Sequence, residues 1–317
     1  MVWYSTGVSR SLKAHLLLVF VTFVWGATFL VIKNALADIS PLLFNSIRMT
    51  FAAFCLAVVY WRHLRRIDGA VFMAGLLTGA FLWAGYEFQT TGLKLTTPSK
   101  SGFLTGVSVV LVPIFLALFW KRKVNRWTAL GVAAAFVGLV LMTVPAGTSA
   151  SGSSSLWGDW ASVNFGDVLT LGCAVAFGFH IIFIGRATQR HGFERIAFLQ
   201  TAVAATLMFA TVPLVERVYI TWTPQLLWAL GITGVLGTAV AFSVQAWAQQ
   251  FTPPTHTALI FALEPVFAWL TSYLVQGERL GMRAGLGATF ILTGILTSEI
   301  KGHVATAKDE AVVAEMA

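Results

Sequence analysis

Apolar stretches about twenty residues long follow one another along almost the whole chain, at 14–33, 41–61, 70–91, 100–120, 127–145, 167–186, 195–215, 224–247, 255–276 and 281–299. A helix of about 20 residues crosses the ~30 Å hydrocarbon layer of a bilayer. Inside that layer only helices and closed barrels satisfy their own backbone polar groups. Runs of this length belong to helices, so the pattern predicts an all-α integral membrane protein with ten transmembrane helices. Ten spans leave no length among 317 residues for a separate soluble domain, and function must live inside the bundle. The stretch 218–277 holds one formal charge, Glu264, and is too long for one helix; Gln249-Gln250-Phe251-Thr252-Pro253-Pro254 divides it.

The net charge of +8 does not imply nucleic acid, because Lys and Arg sit in short runs between apolar segments rather than on one basic face. Such runs report topology. The N-tail, alternate loops and C-tail carry 14 of the 21 basic residues and the opposite loops 6, with Arg48 inside the second span, so both termini are expected to be cytoplasmic. Arg10 and Lys13 before an apolar run resemble a signal peptide, but no small-residue cleavage site follows, and a retained first helix is expected. Cys55 and Cys173 both fall in spans, which excludes a disulfide framework; no metal site and no cofactor are expected.

The two halves resemble each other. Thr97-Pro98-Ser99-Lys100-Ser101-Gly102-Phe103-Leu104 aligns with Pro253-Pro254-Thr255-His256-Thr257-Ala258-Leu259-Ile260 at an offset of 156, which also pairs Gly75 with Gly231, Gln89 with Gln245, Gly131 with Gly287 and Gly138 with Gly294. An offset of 152 pairs Trp25-Gly26 with Phe177-Gly178 and Arg48 with Gln200. An odd number of spans per half makes equivalent helices cross in opposite directions, giving two inverted-topology five-helix repeats. The expected division is 1–145 for the first repeat, 146–166 for an external Ser/Gly-rich linker, 167–300 for the second repeat and 301–317 for a cytoplasmic tail. Trp157 and Trp160 are expected at the membrane interface.

Trp25-Gly26, Arg48, the stretch Thr96-Thr97-Pro98-Ser99-Lys100-Ser101-Gly102-Phe103-Leu104-Thr105-Gly106 leading to Val110-Leu111-Val112-Pro113, and Leu263-Glu264-Pro265-Val266-Phe267 followed by Gly277-Glu278-Arg279-Leu280 resemble the EamA domains of the drug/metabolite transporter superfamily, one domain per half. The resemblance implies a ten-helix fold, a bacterial inner-membrane location and export of amino acids or other small metabolites. One departure is Arg122 at the position equivalent to Glu278, where relatives often carry an acid.

Ionisable groups inside the spans are few: Arg48, Glu87, Lys100, His180, His256 and Glu264. A charge at the centre of a membrane helix costs about 2.5–3.5 kcal/mol on insertion scales, so each should face the interior, pair or neutralise. Glu264, beside Pro265, is suited to binding a cationic group or cycling a proton, or to capping a disturbed turn. Arg48 is suited to a substrate carboxylate, although a structural ion pair is favoured. Tyr86, Glu87, Gln89 and Lys100 are expected at the external mouth, and Gln245, Trp247 and His256 at the cytoplasmic one, with snorkelling the competing role for Lys100 and His256. Trp25 and Phe177 fall near the midplane, where they would either stack on a substrate or pack helices. Gly75-x-x-x-Gly79, Gly102-x-x-x-Gly106 and the glycines at 131, 138, 287 and 294 mark close helix packing.

The expected activity is alternating-access transport of a small amphipathic solute, with proton coupling through Glu264 and a monomer sufficient. The partners are that solute and membrane lipids, without nucleic acid. A nucleotide-sugar or phosphorylated-metabolite exchanger is the alternative, but such substrates call for several embedded cations. A membrane-embedded enzyme lacks its motifs, with no H-E-x-x-H, no G-x-S-x-G and no paired carboxylates. A channel stays open as an alternative.

Overall fold

A computed structural model of the chain describes residues 10–93, 95, 96, 98–143, 163–277 and 281–302. Thirteen α-helices run α1 (Arg10–Ala35), α2 (Pro41–Leu64), α3 (Gly69–Leu93), α4 (Pro98–Gly106), α5 (Ser108–Trp120), α6 (Arg126–Thr143), α7 (Phe165–His191), α8 (Phe193–Val215), α9 (Pro224–Gly234), α10 (Ala241–Ala248), α11 (Pro254–Phe261), α12 (Glu264–Gln276) and α13 (Met282–Thr297). Wider π-helical turns at Val235–Val240 and Ser298–Gly302 follow α9 and α13. No strand occurs among the described residues; a single antiparallel bridge, Ile39 with Ile220, ties the α1–α2 and α8–α9 loops.

Among the described residues, eight helical stretches are long and apolar enough to cross a membrane. The predicted spans 127–145 and 281–299 fall on α6 and α13, which pack on each other, and α13 runs on into the π turn at Ser298–Gly302. The linker with Trp157 and Trp160, Glu278-Arg279-Leu280 and the tail beyond Gly302 lie outside the described residues.

Start signals act locally. Pro41 and Pro224 occupy the first turns of α2 and α9, where a missing N–H costs nothing. Asn164 and Asp167 form a reciprocal capping box on α7, and Asp68 Oδ1 accepts from Val71 N at 2.8 Å to start α3.

Two spans read from sequence as continuous are broken. Val107 separates α4 from α5, and Ala262-Leu263 separates α11 from α12. At the second break Pro265 has no N–H for the carbonyl of Phe261, so the ladder is interrupted just before Glu264. The span 224–247 is also irregular, with Thr238 Oγ1 donating five residues back to Thr233 O at 2.8 Å in the π turn.

Glycines set the closest crossings. On α6 and α13, a Cβ added at Gly138 would stand 2.5 Å from Gly287 O and one at Gly131 would stand 2.5 Å from Gly294 O, so the two backbones touch in an antiparallel pair. On α3, Gly79 faces Gln200 O and Val203 of α8, and Gly92 faces Gly166 of α7. Gly102 meets nothing within 4 Å, so only Gly106 of that motif packs. The remaining pairings are α2 on α8, α3 on α7 and α8, α1 on α10 and α12, and α5 on α7.

Candidate functional site

The middle of the bundle is built from α1, α2, α3, α7, α8 and α10. Met49, Leu82, Ala204, Ala205, Met208 and Phe242 are buried there, with Trp25, Tyr86 and Phe177 packed half-exposed against them. Trp25 and Phe177 share this cluster without stacking on each other. The Trp25 indole donates to Gly237 O at 2.8 Å, into the π turn, and its ring lies 5.0 Å from Phe261 and 5.8 Å from Phe242. Phe177 meets Tyr86 edge-on at 5.6 Å and fills the space that a side chain at position 85 would take. Gly26, next to Trp25, lets α1 press on the broken helix: a Cβ there would lie 2.7 Å from Phe267 Cβ and 2.9 Å from Glu264 O.

Arg48 is 4% exposed. Its guanidinium lies 5.0 Å from the Tyr86 ring centre and 5.8 Å from that of Phe44, and its Nε is buried with no hydrogen-bond partner. No carboxylate forms an ion pair with it among the described residues, so the structural ion pair favoured from the sequence is not found there. Tyr86 is within Coulombic range of both Arg48 and Glu264, and Cys173 is within range of Glu264. Glu264, the first residue of α12, is half-buried. The fold thus brings a cation, a phenol and a carboxylate to one aromatic-lined place.

The other candidates scatter around it. Gln89 Nε2 donates to Thr105 Oγ1 at 3.4 Å, and Thr105 lies 3.7 Å from Cys173 Sγ. Glu87 accepts from Thr211 Oγ1 at 3.1 Å, and His180 Nε2 is 2.8 Å from Gln200 Oε1 in a buried pair. Gln245 donates to Gln249 at 3.0 Å, and Gln249 passes the chain on to Ile181 O at 2.8 Å. Trp247 lies under Lys13 Nζ at 5.6 Å, while His256 Nδ1 is 2.7 Å from Glu299 Oε1. The side chain of Lys100 lies outside the described residues. Thr105, Cys173 and Thr211 were not candidates, and polarity alone could not single them out. Gln200 was visible as the repeat counterpart of Arg48.

An open recess of about 450 Å³ lies elsewhere, between α2 and α8, lined by Phe54, Phe198, Ala202 and Phe209. Phe54 and Phe209 are exposed, as expected of a surface that lipid tails fill.

The sequence model of the EamA-like transporter family matches twice, over residues 12–144 and 164–298. A protein of Archaeoglobus fulgidus named an uncharacterized transporter is 32% identical over 93% of this chain and 88% of its own length. YoaV of Bacillus subtilis, also named an uncharacterized transporter, is 23% identical over 89% of this chain and 95% of its own. A solved crystal structure, 16% identical, shares the fold with a TM-score of 0.73 over 90% of this chain and 96% of that one. With its apolar helices, the chain is a multi-pass membrane transporter, and it belongs to the EamA-like transporter family.

Proposed function

We propose that this transporter is a secondary carrier that exports a small zwitterionic or amphipathic metabolite, such as an amino acid, by alternating access through the centre of the bundle. The observation that carries the proposal is Arg48. A guanidinium does not deprotonate in a protein, and a buried charge without a counter-ion costs several kcal/mol. Two aromatic faces within about 6 Å compensate only in part. A substrate carboxylate would complete the pairing, and Glu264 across Tyr86 would take the substrate's ammonium group or a coupling proton. Trp25 and Phe177 would enclose an apolar side chain. A single described cation at the centre argues against phosphorylated substrates.

The bundle is proposed to be ten helices in two inverted repeats. Three findings support this: the self-pairing of α6 with α13 and of α2 with α8, helix breaks at Val107 and Ala262-Leu263, and the double family match. The end at which α1 begins also carries Arg62, Arg65, Arg66, Lys121, Arg122, Lys123, Arg190 and Arg195, and by the positive-inside rule this supports a cytoplasmic assignment for it.

The test is uptake of radiolabelled amino acids and other small metabolites into proteoliposomes, with and without an imposed pH gradient. Saturable uptake is expected, accelerated by the gradient in the wild type and indifferent to it in Glu264→Gln. Arg48→Gln should raise KM about tenfold or more for a carboxylate substrate, since hydrogen bonds to charged groups contribute about 1.5–3 kcal/mol. An unchanged KM in Arg48→Gln would remove the carboxylate from the proposal, and retained gradient sensitivity in Glu264→Gln would remove proton coupling through that residue.

A further inference from the structure

At the end of the bundle where α1 begins, side chains from three separate elements converge. His15 comes from the second turn of α1, His256 from the first turn of α11, and Glu299 from the π-helical turn that follows α13. The Glu299 carboxylate is shared between the two rings: Oε1 lies 2.7 Å from His256 Nδ1, and Oε2 lies 3.1 Å from His15 Nδ1. One potential ligand atom from each of the three residues falls within 4.8 Å of the others. All three side chains keep a little solvent exposure, 14% for His15, 11% for His256 and 18% for Glu299, so an ion has a way in. Basic side chains on the same elements face aromatic rings, Lys13 over Trp247 at 5.6 Å, Arg10 over Phe251 at 5.8 Å and Lys301 over Trp127 at 4.6 Å.

We propose that His15, His256 and Glu299 form a binding site for a divalent transition metal of the zinc, cobalt or nickel class. Two imidazoles and one carboxylate are a donor set such ions favour, and the set leaves a fourth position for water. Calcium and magnesium prefer oxygen donors alone. Metal–ligand bonds of about 2.0–2.2 Å place tetrahedral donors roughly 3.4 Å apart. The cluster therefore closes by little more than 1 Å, a distance that small side-chain rotations cover.

The site joins the two halves. His15 lies in the first family match and His256 in the second, with Glu299 one residue beyond it. A bound ion would staple α1 to α11 and to the end of α13. On the carrier reading and orientation proposed above, it would hold the cytoplasmic mouth shut and slow transport. The staple rests on that reading, whereas metal binding does not.

The experiment uses the full chain, purified in detergent through a tag without histidines and stripped with EDTA. Co²⁺ is titrated in while the visible absorption is followed, and Zn²⁺ is then added. A single equivalent of Co²⁺ should produce a tetrahedral absorption band that Zn²⁺ removes. His15→Ala, His256→Ala and Glu299→Gln should each weaken binding at least about tenfold. His63→Ala should leave binding unchanged, although His63 Nε2 also lies near a carboxylate, 3.8 Å from Glu194. A wild type that gives no band overturns the site, as do three variants that bind like the wild type. In proteoliposomes, Zn²⁺ should slow uptake by the wild type and spare His15→Ala. A Co²⁺ band without slowed uptake keeps the metal site and overturns the staple.

Discussion

The break between α4 and α5 and the break between α11 and α12 occupy equivalent places in the two halves, since Val107 and Leu263 are 156 residues apart. The helices beyond them end alike, α5 on Lys121 at φ 52° and α12 on Gly277 at φ 70°, again 156 apart. The chemistry placed on this common backbone differs. The residue that opens α5 is Ser108, whereas the one that opens α12 is Glu264 beside Pro265. Likewise Arg48 in α2 answers to Gln200 in α8, where the amide pairs with His180 at 2.8 Å. The halves share a scaffold, and of the central groups the cation Arg48 comes from one half and the carboxylate Glu264 from the other. The dipolar solute proposed above would use such asymmetry, and packing does not require it.

The largest effect should come from the shared scaffold. Gly138→Leu or Gly287→Leu drives a side chain into the opposing backbone, where an added Cβ already stands within 2.6 Å of a carbonyl oxygen. Loss of the folded protein is expected, measured as monodisperse yield in detergent; wild-type yield from either variant would show that α6 and α13 part without consequence. Charge exchange is the next test. Arg48→Gln with Gln200→Arg moves the cation to the other half and should lose saturable uptake while still folding, because Glu264 keeps its place and the partner charge does not.

Smaller effects should follow at the helix ends. Lys121 holds a left-handed conformation that costs an L-residue about 1–2 kcal/mol, partly offset by glycine's greater entropy loss. Lys121→Gly should therefore stabilise by less than about 1 kcal/mol and Gly277→Ala should destabilise by about 1 kcal/mol, read from thermal unfolding in detergent. Equal shifts of one sign would break the equivalence of the two ends. The smallest effect separates the caps. Asp68 starts α3, and its hydrogen bond from Val71 N holds the carboxyl below its ordinary value of 3.8; Thr223 starts α9 by accepting from Leu226 N at 3.1 Å and does not titrate. Because the folded value is lowered, the contribution of Asp68 is present above about pH 4 and fades as pH falls through that lower value. Asp68→Asn should flatten that acid-side decline slightly, whereas Thr223→Ala should already lower stability at pH 7, because it removes both the cap and the hydrogen bond that Thr223 Oγ1 donates to Asp38 Oδ2 at 2.6 Å.

Ten apolar segments, their alternating basic loops and the glycines of α6 and α13 were legible in the sequence, because bilayer thickness and backbone contact act on residue type and spacing alone. The candidate list also contained the central trio of Arg48, Tyr86 and Glu264, since a charge inside an apolar run is conspicuous wherever its side chain points. The broken helices at Val107 and Ala262-Leu263 were only half visible. Pro265 announces the second, while the first has Pro113 six residues downstream and no local breaker at the turn itself. Which polar groups share a place was decided by the tertiary structure. Arg48 is separated by 216 positions from Glu264, and His15 by 241 from His256, so only the packing of α1, α2, α11 and α12 could bring or withhold their partners. The sequence determined which residues enter the membrane, because transfer from water to lipid is a property of each segment. The assembled bundle decided which charges meet, because that depends on how separate helices cross.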